Sequence, residues 1–344
     1  MPTLLKCVRD SHVTHHAVPP RSIGVMTGFW QGRRVVVTGG AGFLGRVVVD
    51  KLQALGATVA IPRSRDYDLT VPGAADRLLN DTTPSHVVHL AARVGGIGFN
   101  QEAPADLYLS NLLMGTHMIE AARVAPSVEK TVLIGTVCSY PKFTPVPFRE
   151  ESLWDGYPEE TNAPYGIAKK AHLIHAQVNR AQYGQRFAYL IPTNLYGPGD
   201  KFHPSVSHVI PARIKRCVEA KETFLQKIDV WGTGTASREY LYVDDAAEAI
   251  VLAAELYEGS EPVNLGTNRE ITIRETVELI AQMVGYDGEL VWDPTQPDGQ
   301  PRRRVDPARA EAEFGWRAQM PFEQGLQATI DWYLANRAEA EREP

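Results

Sequence analysis

The chain has 344 residues, with 35 basic and 41 acidic side chains and a formal net charge of −6. Its composition, 44% hydrophobic and 22% charged, is that of an ordinary globular protein and excludes collagen-like, coiled-coil and wholly disordered chains. The acidic balance argues against nucleic acid or an anionic membrane as a partner. No stretch reaches the roughly 18 apolar residues that a membrane helix needs.

The first region of regular structure runs from Arg33 to about Ile191, where short apolar runs alternate with helical patterns. Strands are predicted at 34–38, 58–61, 86–90, 131–134 and 187–191. Helices are predicted at 43–55, which Gly56 ends, at about 105–123, and from Pro164 to about Tyr183. This succession predicts an α/β fold, namely a Rossmann doubly wound parallel sheet with helices on both faces.

The pattern changes after Asn194. Glycine, proline and histidine cluster at 197–211, and polar connections are expected from there to Ser237. Further strands are predicted at 239–243 and 263–265, with a helix from Asp244 between them, and further helices at 273–284 and 322–334.

The length predicts about two domains. We assign residues 31–195 and 238–268 to the Rossmann domain, and residues 196–237 and 269–340 to a smaller, discontinuous substrate domain at the carboxyl ends of the strands. Residues 1–30 contain no apolar secretory core, so they are expected to form a disordered leader; the alternative is that residues 1–25 are an artefact ahead of a true start at Met26.

Three cysteines, Cys7, Cys138 and Cys217, do not make a disulfide framework in so long a chain, and they show no metal-ligand spacing. A reducing compartment is the simplest interpretation. We therefore expect a cytoplasmic protein that holds no metal.

A glycine-rich turn joins the first strand to the first helix. The segment TGGAGFLG places Gly39, Gly42 and Gly45 at three-residue spacing, with Phe43 and Leu44 between the last two. Glycine allows a tight turn and a close approach of the backbone to a pyrophosphate, and the helix N-terminus supplies free N–H groups and a positive dipole. The alternative is an ordinary glycine-rich turn, but with both flanks present the turn predicts a dinucleotide cofactor.

This GxxGxxG spacing resembles the short-chain dehydrogenase/reductase superfamily in its extended form. The resemblance extends to Asp68-Leu69, where the superfamily places the adenine, and to His89-Leu90-Ala91-Ala92 at the end of the third strand. It implies that Asp68, Leu69 and Ala91 line the cofactor.

The choice between NAD and NADP depends on the segment IPRSR at 61–65. An NAD site usually has a carboxylate about 20 positions after the glycines, and this segment has none. Arg63 and Arg65 suit a 2′-phosphate, so the sequence favours NADP (NADPH), while NAD remains possible. The alternative is that both arginines are merely solvated.

Tyr165 and Lys169 are four residues apart on a predicted helix and share one face. The ammonium group is expected to lower the pKa of the phenol, and the lysine to hold the nicotinamide ribose. Thr136 follows the fourth strand, where the superfamily positions a Ser or Thr that hydrogen-bonds the substrate oxygen. Together the three residues predict a hydride-transfer site; an exposed helix pair is the alternative for Tyr165 and Lys169.

Cys138 lies two residues after Thr136, where its thiol can take a proton from a carbon beside a ketone. Inverting such a carbon needs an acid on the opposite face, and His208 is a candidate because imidazole titrates near neutrality. A packed thiol at a strand end and an ordinary loop histidine are the alternatives.

Longer stretches are similar to the GDP-L-fucose synthase family. They are VGGI at 94–97, CSYPK at 138–142, TNAPYGIAK at 161–169, PTNLYGP at 192–198, FHP at 202–204, SHVIP at 207–211, WGTG at 231–234, REY at 238–240 and PDGQPR at 297–302. The resemblance covers about residues 33–334. It implies 3,5-epimerisation of GDP-4-keto-6-deoxy-D-mannose, with Cys138 as base and His208 as acid, followed by NADPH-dependent reduction at C4 through Thr136, Tyr165 and Lys169.

The same resemblance implies further contacts. Pro192 would lie at the cofactor, and the residues near the nucleotide sugar would be Asn194, Arg216, Trp231, Arg238 and Arg303. Guanidinium groups suit a diphosphate, although a lone arginine is more often a solvated charge. Superfamily habit implies a homodimer formed through two helices of each subunit.

The chain departs from the family pattern in two places. Gly40-Ala41-Gly42 stands where the family carries Gly-His-Arg-Gly, whose arginine grips the 2′-phosphate, and Thr136-Val137 replaces two serines. Another NDP-sugar 4-epimerase or 4-keto reductase is therefore an alternative. A non-catalytic dinucleotide-sensing protein is a third possibility, but such proteins commonly lose the Tyr/Lys pair that this chain keeps.

Overall fold

The computed structural model describes residues 28–95, 102–203, 207–296 and 298–342. Residues 1–27 of the predicted leader, with Cys7 and Met26, lie outside the described residues, as do residues 96–97, 204 and 297 of the stretches named above. None of the described helices has the length and apolar character needed to cross a membrane.

The strands of the described residues follow in chain order: β1 (Arg34–Thr38), β2 (Thr58–Ala60), β3 (His86–His89), β4 (Lys130–Ile134), β5 (Phe187–Pro192), β6 (Asn194–Tyr196), β7 (Lys227–Trp231), β8 (Ser237–Arg238), β9 (Tyr240–Tyr242), β10 (Val263–Leu265), β11 (Ile271–Thr272) and β12 (Glu289–Asp293). The helices are α1 (Phe43–Ala54), α2 (Ala74–Thr82), α3 (Pro104–Val124), α4 (Ala163–Tyr183), α5 (Val209–Glu222), α6 (Val243–Leu256), α7 (Ile273–Val284), α8 (Ala308–Phe314), α9 (Phe322–Ala335) and α10 (Arg337–Ala340).

The main sheet has the strand order β10-β5-β4-β3-β1-β2 among the described residues, and every neighbouring pair is parallel. Helices α1 and α6 pack together on one face, whereas α2, α3 and α4 pack on the other. Strands covered on both faces read as continuous apolar runs, as RVVVT in β1 does. The predicted doubly wound parallel sheet is confirmed.

The chain reverses direction across the sheet at β1. Strand β2 lies on one side of β1 and β3 on the other, so the crevice above the carboxyl ends of β1 and β3 is the topological switch point. Ligands of open α/β sheets bind in such a crevice. The glycine-rich turn after β1 therefore lies where a dinucleotide is expected.

A second hydrophobic cluster forms beyond the sheet. Helices α5 and α7 pack against each other, β7 pairs in parallel with β12, and Phe202, Ile214, Ile280 and Leu326 are fully buried in this cluster. Residues of α8 and Trp316 instead pack into the core of the main sheet, so the two regions interlock there. The division into two domains at the proposed boundaries stays a prediction.

Three expectations from the sequence were wrong. The polar connections expected up to Ser237 contain α5 and β7, and a helix not predicted, α2, separates β2 from β3. The leader does not extend to residue 30, because Trp30 is 1% exposed and packs edge-on against Phe29 and His86. Helix α5 was not predicted because Pro211 lies near its start, although proline is tolerated in a first helical turn.

Candidate active site

The glycine turn after β1 forms a tight cradle. Gly39 has a φ of 70°, and a Cβ at this position would lie 2.9 Å from the backbone nitrogen of Ala91. A Cβ on Gly45 would overlap the carbonyl oxygen of Gly39. No side chain caps the N-terminus of α1 at Gly42, so the first amides of the helix, at Phe43 and Leu44, remain available as donors. These features fit a pyrophosphate.

The wall of the crevice is held by Thr38 and His89, both buried. Their side chains lie 2.8 Å apart, between Thr38 Oγ1 and His89 Nδ1, and Thr38 Oγ1 also accepts a hydrogen bond from the amide of Ala91 at 3.2 Å. Ala91 is thereby fixed beside Gly39, where the sequence predicted cofactor contact.

The predicted adenosine end lies after β2. Arg63 and Arg65 are exposed, and Arg65 makes only a 3.5 Å ion pair with its neighbour Asp66. Asp68 accepts hydrogen bonds from Thr70, which hold the pKa of its carboxyl below the usual value, and Leu69 is buried. Neither arginine is committed to the folded core, so both can reach a phosphate.

Tyr165 and Lys169 lie on the first turns of α4. The Lys169 ammonium is 5.7 Å from the centroid of the Tyr165 ring, and burial lowers the pKa of the lysine to about 8. Burial, helped by the nearby Cys138 thiol, raises the pKa of the Tyr165 phenol. The expectation that lysine lowers this pKa was wrong for the protein without ligands, because loss of hydration on burial is the largest effect on the phenol. Tyr165 is thus held as a protonated phenol.

Thr136 and Cys138 follow β4. Thr136 Oγ1 caps the short 3₁₀ helix Val137–Ser139 by accepting a hydrogen bond from the Cys138 amide at 3.2 Å. Ser139 Oγ donates to the carbonyl oxygen of Gly166 at 3.0 Å, next to Tyr165. A Cβ on Gly166 would lie 2.7 Å from the Cys138 carbonyl oxygen, so the thiol segment and α4 are in close contact. The structure therefore brings Thr136, Cys138, Tyr165 and Lys169 together.

Arg303 and Arg238 belong to the same group. Arg303 Nη1 lies 3.6 Å from Cys138 Sγ, and the Cys138 sulfur also acts electrostatically on Arg238. Burial and the nearby Arg303 lower the pKa of Arg238 to about 10. The guanidinium of Arg238 donates to the carbonyl oxygens of Ser237 and Gln300, each at 2.7 Å.

His208 stands apart from these groups. It is exposed and precedes α5 as its N-cap residue, and no hydrogen bond or ion pair joins it to Cys138 or Tyr165 in the described chain. Loss of hydration, with a contribution from Lys201, lowers the pKa of the imidazole. Its role as acid stays a prediction.

The remaining predicted residues lie around this centre. Pro192 ends β5, and Asn194, two residues on, donates from its side chain to the Glu239 carbonyl oxygen at 2.8 Å. Arg216 is exposed on α5, and Trp231, 66% exposed, ends β7. The structure tests none of these as ligand contacts.

Two side chains that the sequence analysis did not single out belong to this region. Gln300, 5% exposed, connects Arg303 to the segment after Cys138, and the buried Thr193 hydroxyl beside Pro192 has no partner in the described protein. Both lie in stretches that carry the family resemblance, PTNLYGP and PDGQPR, but their contacts could not be predicted because they arise from loops that meet only in the fold. No cluster of three or more His, Cys, Asp or Glu suited to a metal occurs in the described ranges.

Comparisons with known proteins identify the family. The sequence model of the NAD dependent epimerase/dehydratase family matches residues 35–266. GDP-L-fucose synthase 1 of Arabidopsis thaliana is 41% identical over 304 residues, covering 88% of this chain and 94% of the relative. The GDP-L-fucose synthase of Escherichia coli K12 is 38% identical over 315 residues, covering 89% and 98%.

A solved structure agrees with these relatives. The crystal structure of a GDP-L-fucose synthetase from Naegleria fowleri bound to NADP superposes with a TM-score of 0.79 and 27% identity, covering 91% of this chain and 97% of that one. The chain therefore belongs to the NAD dependent epimerase/dehydratase family, in the branch of the GDP-L-fucose synthases.

Proposed function

We propose that this protein converts GDP-4-keto-6-deoxy-D-mannose to GDP-L-fucose by epimerisation at C3 and C5 and NADPH-dependent reduction at C4. One observation carries the proposal: a thiol, a phenol and a buried ammonium group, those of Cys138, Tyr165 and Lys169, meet at the carboxyl end of β4. Reduction alone needs no thiol there, whereas proton abstraction beside a ketone does need a base.

The cofactor in this proposal is NADP. The cradle of Gly39, Gly42 and Gly45 would hold the pyrophosphate, and the exposed Arg63 and Arg65 would meet the 2′-phosphate. The similar synthetase from Naegleria fowleri was crystallised with NADP bound, which supports this choice. The Thr193 hydroxyl next to Pro192, which has no hydrogen-bond partner in the described protein, would be free to hydrogen-bond the nicotinamide end of the cofactor.

The nucleotide sugar would lie between the sheet and the second cluster. Trp231 offers an exposed aromatic face for a base. Arg216 offers a guanidinium group that forms no hydrogen bond or ion pair within the described residues, as a diphosphate partner should. Asn194 and Thr136 would contact the sugar.

Epimerisation would be carried by Cys138 and His208. The sulfur removes the proton from C3 or C5, each activated by the C4 ketone, and the bond electrons move onto the ketone oxygen as an enolate. The imidazole returns a proton to the other face of the same carbon, which inverts it.

Reduction would follow at the same ketone. When bound, the reduced nicotinamide supplies the hydride that C4 receives. Tyr165 donates its phenolic proton to the C4 oxygen, and the Thr136 hydroxyl hydrogen-bonds that oxygen. Burial keeps Tyr165 protonated beforehand, and Lys169 stabilises the phenolate that remains.

The proposal includes a cytoplasmic homodimer formed through α3 and α4. These helices pack together and expose large apolar side chains, Leu109, Ile174 and Val178, which are 45–53% exposed. Such side chains on neighbouring helices fit a second copy better than solvent.

The test is incubation of the protein with GDP-4-keto-6-deoxy-D-mannose and NADPH in deuterated water, with products read by NMR. We expect GDP-L-fucose carrying deuterium at C3 and C5. C138S and H208N should lose this incorporation. If both variants keep full turnover and wild-type product carries no deuterium, the enzyme is a simple 4-keto reductase instead.

A further inference from the structure

The contact between Arg303 and Cys138 is unusual for a buried arginine. Arg303 is 8% exposed, and no carboxylate forms an ion pair with it in the described residues. Its nearest polar partners are the Cys138 sulfur at 3.6 Å, through Nη1, and the Gln300 side chain at 3.1 Å, through Nε. A buried guanidinium without a carboxylate has an unmatched positive charge.

Gln300 hydrogen-bonds both Arg303 and the chain segment that follows Cys138. Its amide oxygen accepts from Arg303, and its amide nitrogen donates to the backbone carbonyl of Lys142 at 3.0 Å and more weakly to that of Pro141 at 3.4 Å. Both carbonyls belong to the segment that leaves Cys138. One side chain thus fixes the arginine relative to the cysteine.

A second cation adds to the positive field. Arg238 is bonded to the carbonyl oxygen of Gln300, and repulsion from Arg303 contributes to lowering its pKa. Asp298 also acts on Arg238 and raises its pKa, and the Asp298 carboxylate accepts hydrogen bonds from Thr233. Tyr165 also interacts with Cys138, and its phenol stays protonated because of burial. A negative charge on the sulfur would lie next to Arg303 and would offset part of the repulsion between the two guanidinium groups.

We propose that Arg303, fixed by Gln300, stabilises the thiolate of Cys138 and orients it as the base for epimerisation. The inference rests on the proposed function and deepens it, because it gives Arg303 a role at the thiol in place of the diphosphate or sugar contact expected from the resemblance. Arg303 is here a positioning residue that acts through Cys138.

The charge balance of the step explains why a cation is useful. The thiolate and C–H become a thiol and an enolate, so negative charge leaves the sulfur and moves to the C4 oxygen. Afterwards the thiol releases its proton to water, and the guanidinium favours this return to thiolate. A neutral residue at 303 would remove the cation that lies 3.6 Å from the sulfur.

The test measures alkylation of Cys138 by iodoacetamide as a function of pH, in the full-length protein without substrate, by mass spectrometry of the peptide. In R303Q we expect the midpoint of the profile to rise by about one pH unit, and in R303K to return most of the way towards wild type. Q300L keeps the charge, so its midpoint should move less. R302Q is the matched control, because Arg302 is exposed and pairs with Glu270.

Deuterium incorporation at C3 and C5 is the second readout, and it should fall about tenfold or more in R303Q, with a smaller change in KM than in kcat. An R303Q alkylation profile that coincides with that of wild type overturns the inference, as does a shift of equal size in R302Q. If R303Q does not fold, R303K and Q300L still decide. A shift of the alkylation midpoint in R303Q, found while the wild-type protein shows no turnover of the GDP sugar, would support the effect of Arg303 on Cys138 and would contradict the proposed function.

Discussion

The hydroxyl of Tyr189 on β5 donates a 2.7 Å hydrogen bond to the backbone carbonyl oxygen of Lys169 on α4. Tyr189 is 1% exposed, and its ring occupies the space above Gly135, where a Cβ would lie 2.5 Å from a ring carbon. The bond ties the turn of α4 that carries Lys169 to the sheet. It also holds Tyr189 close enough to Tyr165, the proposed proton donor, for the two to interact electrostatically.

Removing this bond tests whether it positions the lysine. We expect Y189F to lower the free energy of unfolding by about 1 kcal/mol, because the carbonyl loses a buried donor. The kcat of reduction should fall about twofold to tenfold, since the ammonium group is held less firmly. Y257F is the control, because the Tyr257 hydroxyl makes a similar 2.7 Å bond to the Glu261 carbonyl away from the site. Equal kcat losses in both variants would refute a positioning role.

A variant of Tyr165 is expected to separate the ketone reduction from the epimerisation. We expect Y165F to lose about 100-fold or more of the ketone reduction, measured as NADPH oxidation, because no proton donor remains for the C4 oxygen. Solvent deuterium should still enter C3 and C5, since this exchange uses the thiol. Y140F, a buried tyrosine bonded to Asn264, should keep both activities. Loss of exchange together with reduction in Y165F would show that the phenol serves both steps.

The sequence predicted the centre of the fold well because those signals are local, and the fold brings Cys138, Tyr165 and Lys169 close together. The glycine turn, the strand–helix order and the Tyr165–Lys169 spacing each depend on a few neighbouring residues, and β1, β10 and α7 appear at the predicted bounds. The start of α4 was predicted at Pro164, one residue after its observed start at Ala163, because proline suits a first helical turn.

What the sequence did not predict depends on contacts between distant segments. Arg303 and Cys138 are 165 positions apart, and nothing in either neighbourhood signals that they meet. The predicted direction of the Tyr165 pKa shift was wrong for the same reason. Spacing shows which charges are near, but only the packed structure shows how much water is excluded from the phenol. Trp30 was assigned to the leader because its burial against His86 cannot be seen from local composition.

Cofactor choice depends on Arg63 and Arg65. We expect the double variant R63S/R65S to raise the KM for NADPH about tenfold or more and to leave the KM for NADH nearly unchanged, because only NADPH carries the 2′-phosphate. R317S, which removes another exposed arginine, is the control. An equal rise in the KM for NADPH and for NADH would mean that other residues bind the 2′-phosphate.

The apolar surface of α3 and α4 predicts the oligomeric state. We expect wild type to elute as a dimer in light-scattering chromatography, and I174E/V178E to elute as a monomer, because two charges cannot be buried unpaired at an interface. V71E changes a valine of similar exposure, 51%, outside these helices and should remain dimeric. A monomeric wild type would contradict the proposed interface.

Asp200 provides a prediction for the pH dependence of stability. It lies in the loop after β6, 5% exposed; one carboxylate oxygen accepts from the Lys201 amide at 2.7 Å, and the other has no partner in the described protein. Burial raises the pKa of this carboxyl from 3.8 to about 7. The folded protein therefore holds a proton that the unfolded chain has already lost between these pH values. This contribution to stability is complete below pH 4 and disappears as the pH rises to 7.

D200N removes the ionisable group and should remove this dependence. Relative to wild type, the variant is expected to gain about 2 kcal/mol of unfolding free energy between pH 5 and pH 8, because wild type must bury an ionised carboxylate at the higher pH. Urea unfolding at the two pH values measures the difference. D331N, at an exposed aspartate of α9, should follow wild type at both. A D200N curve parallel to that of wild type would mean that the carboxyl is already ionised at pH 5 and that the loop admits water to its free oxygen.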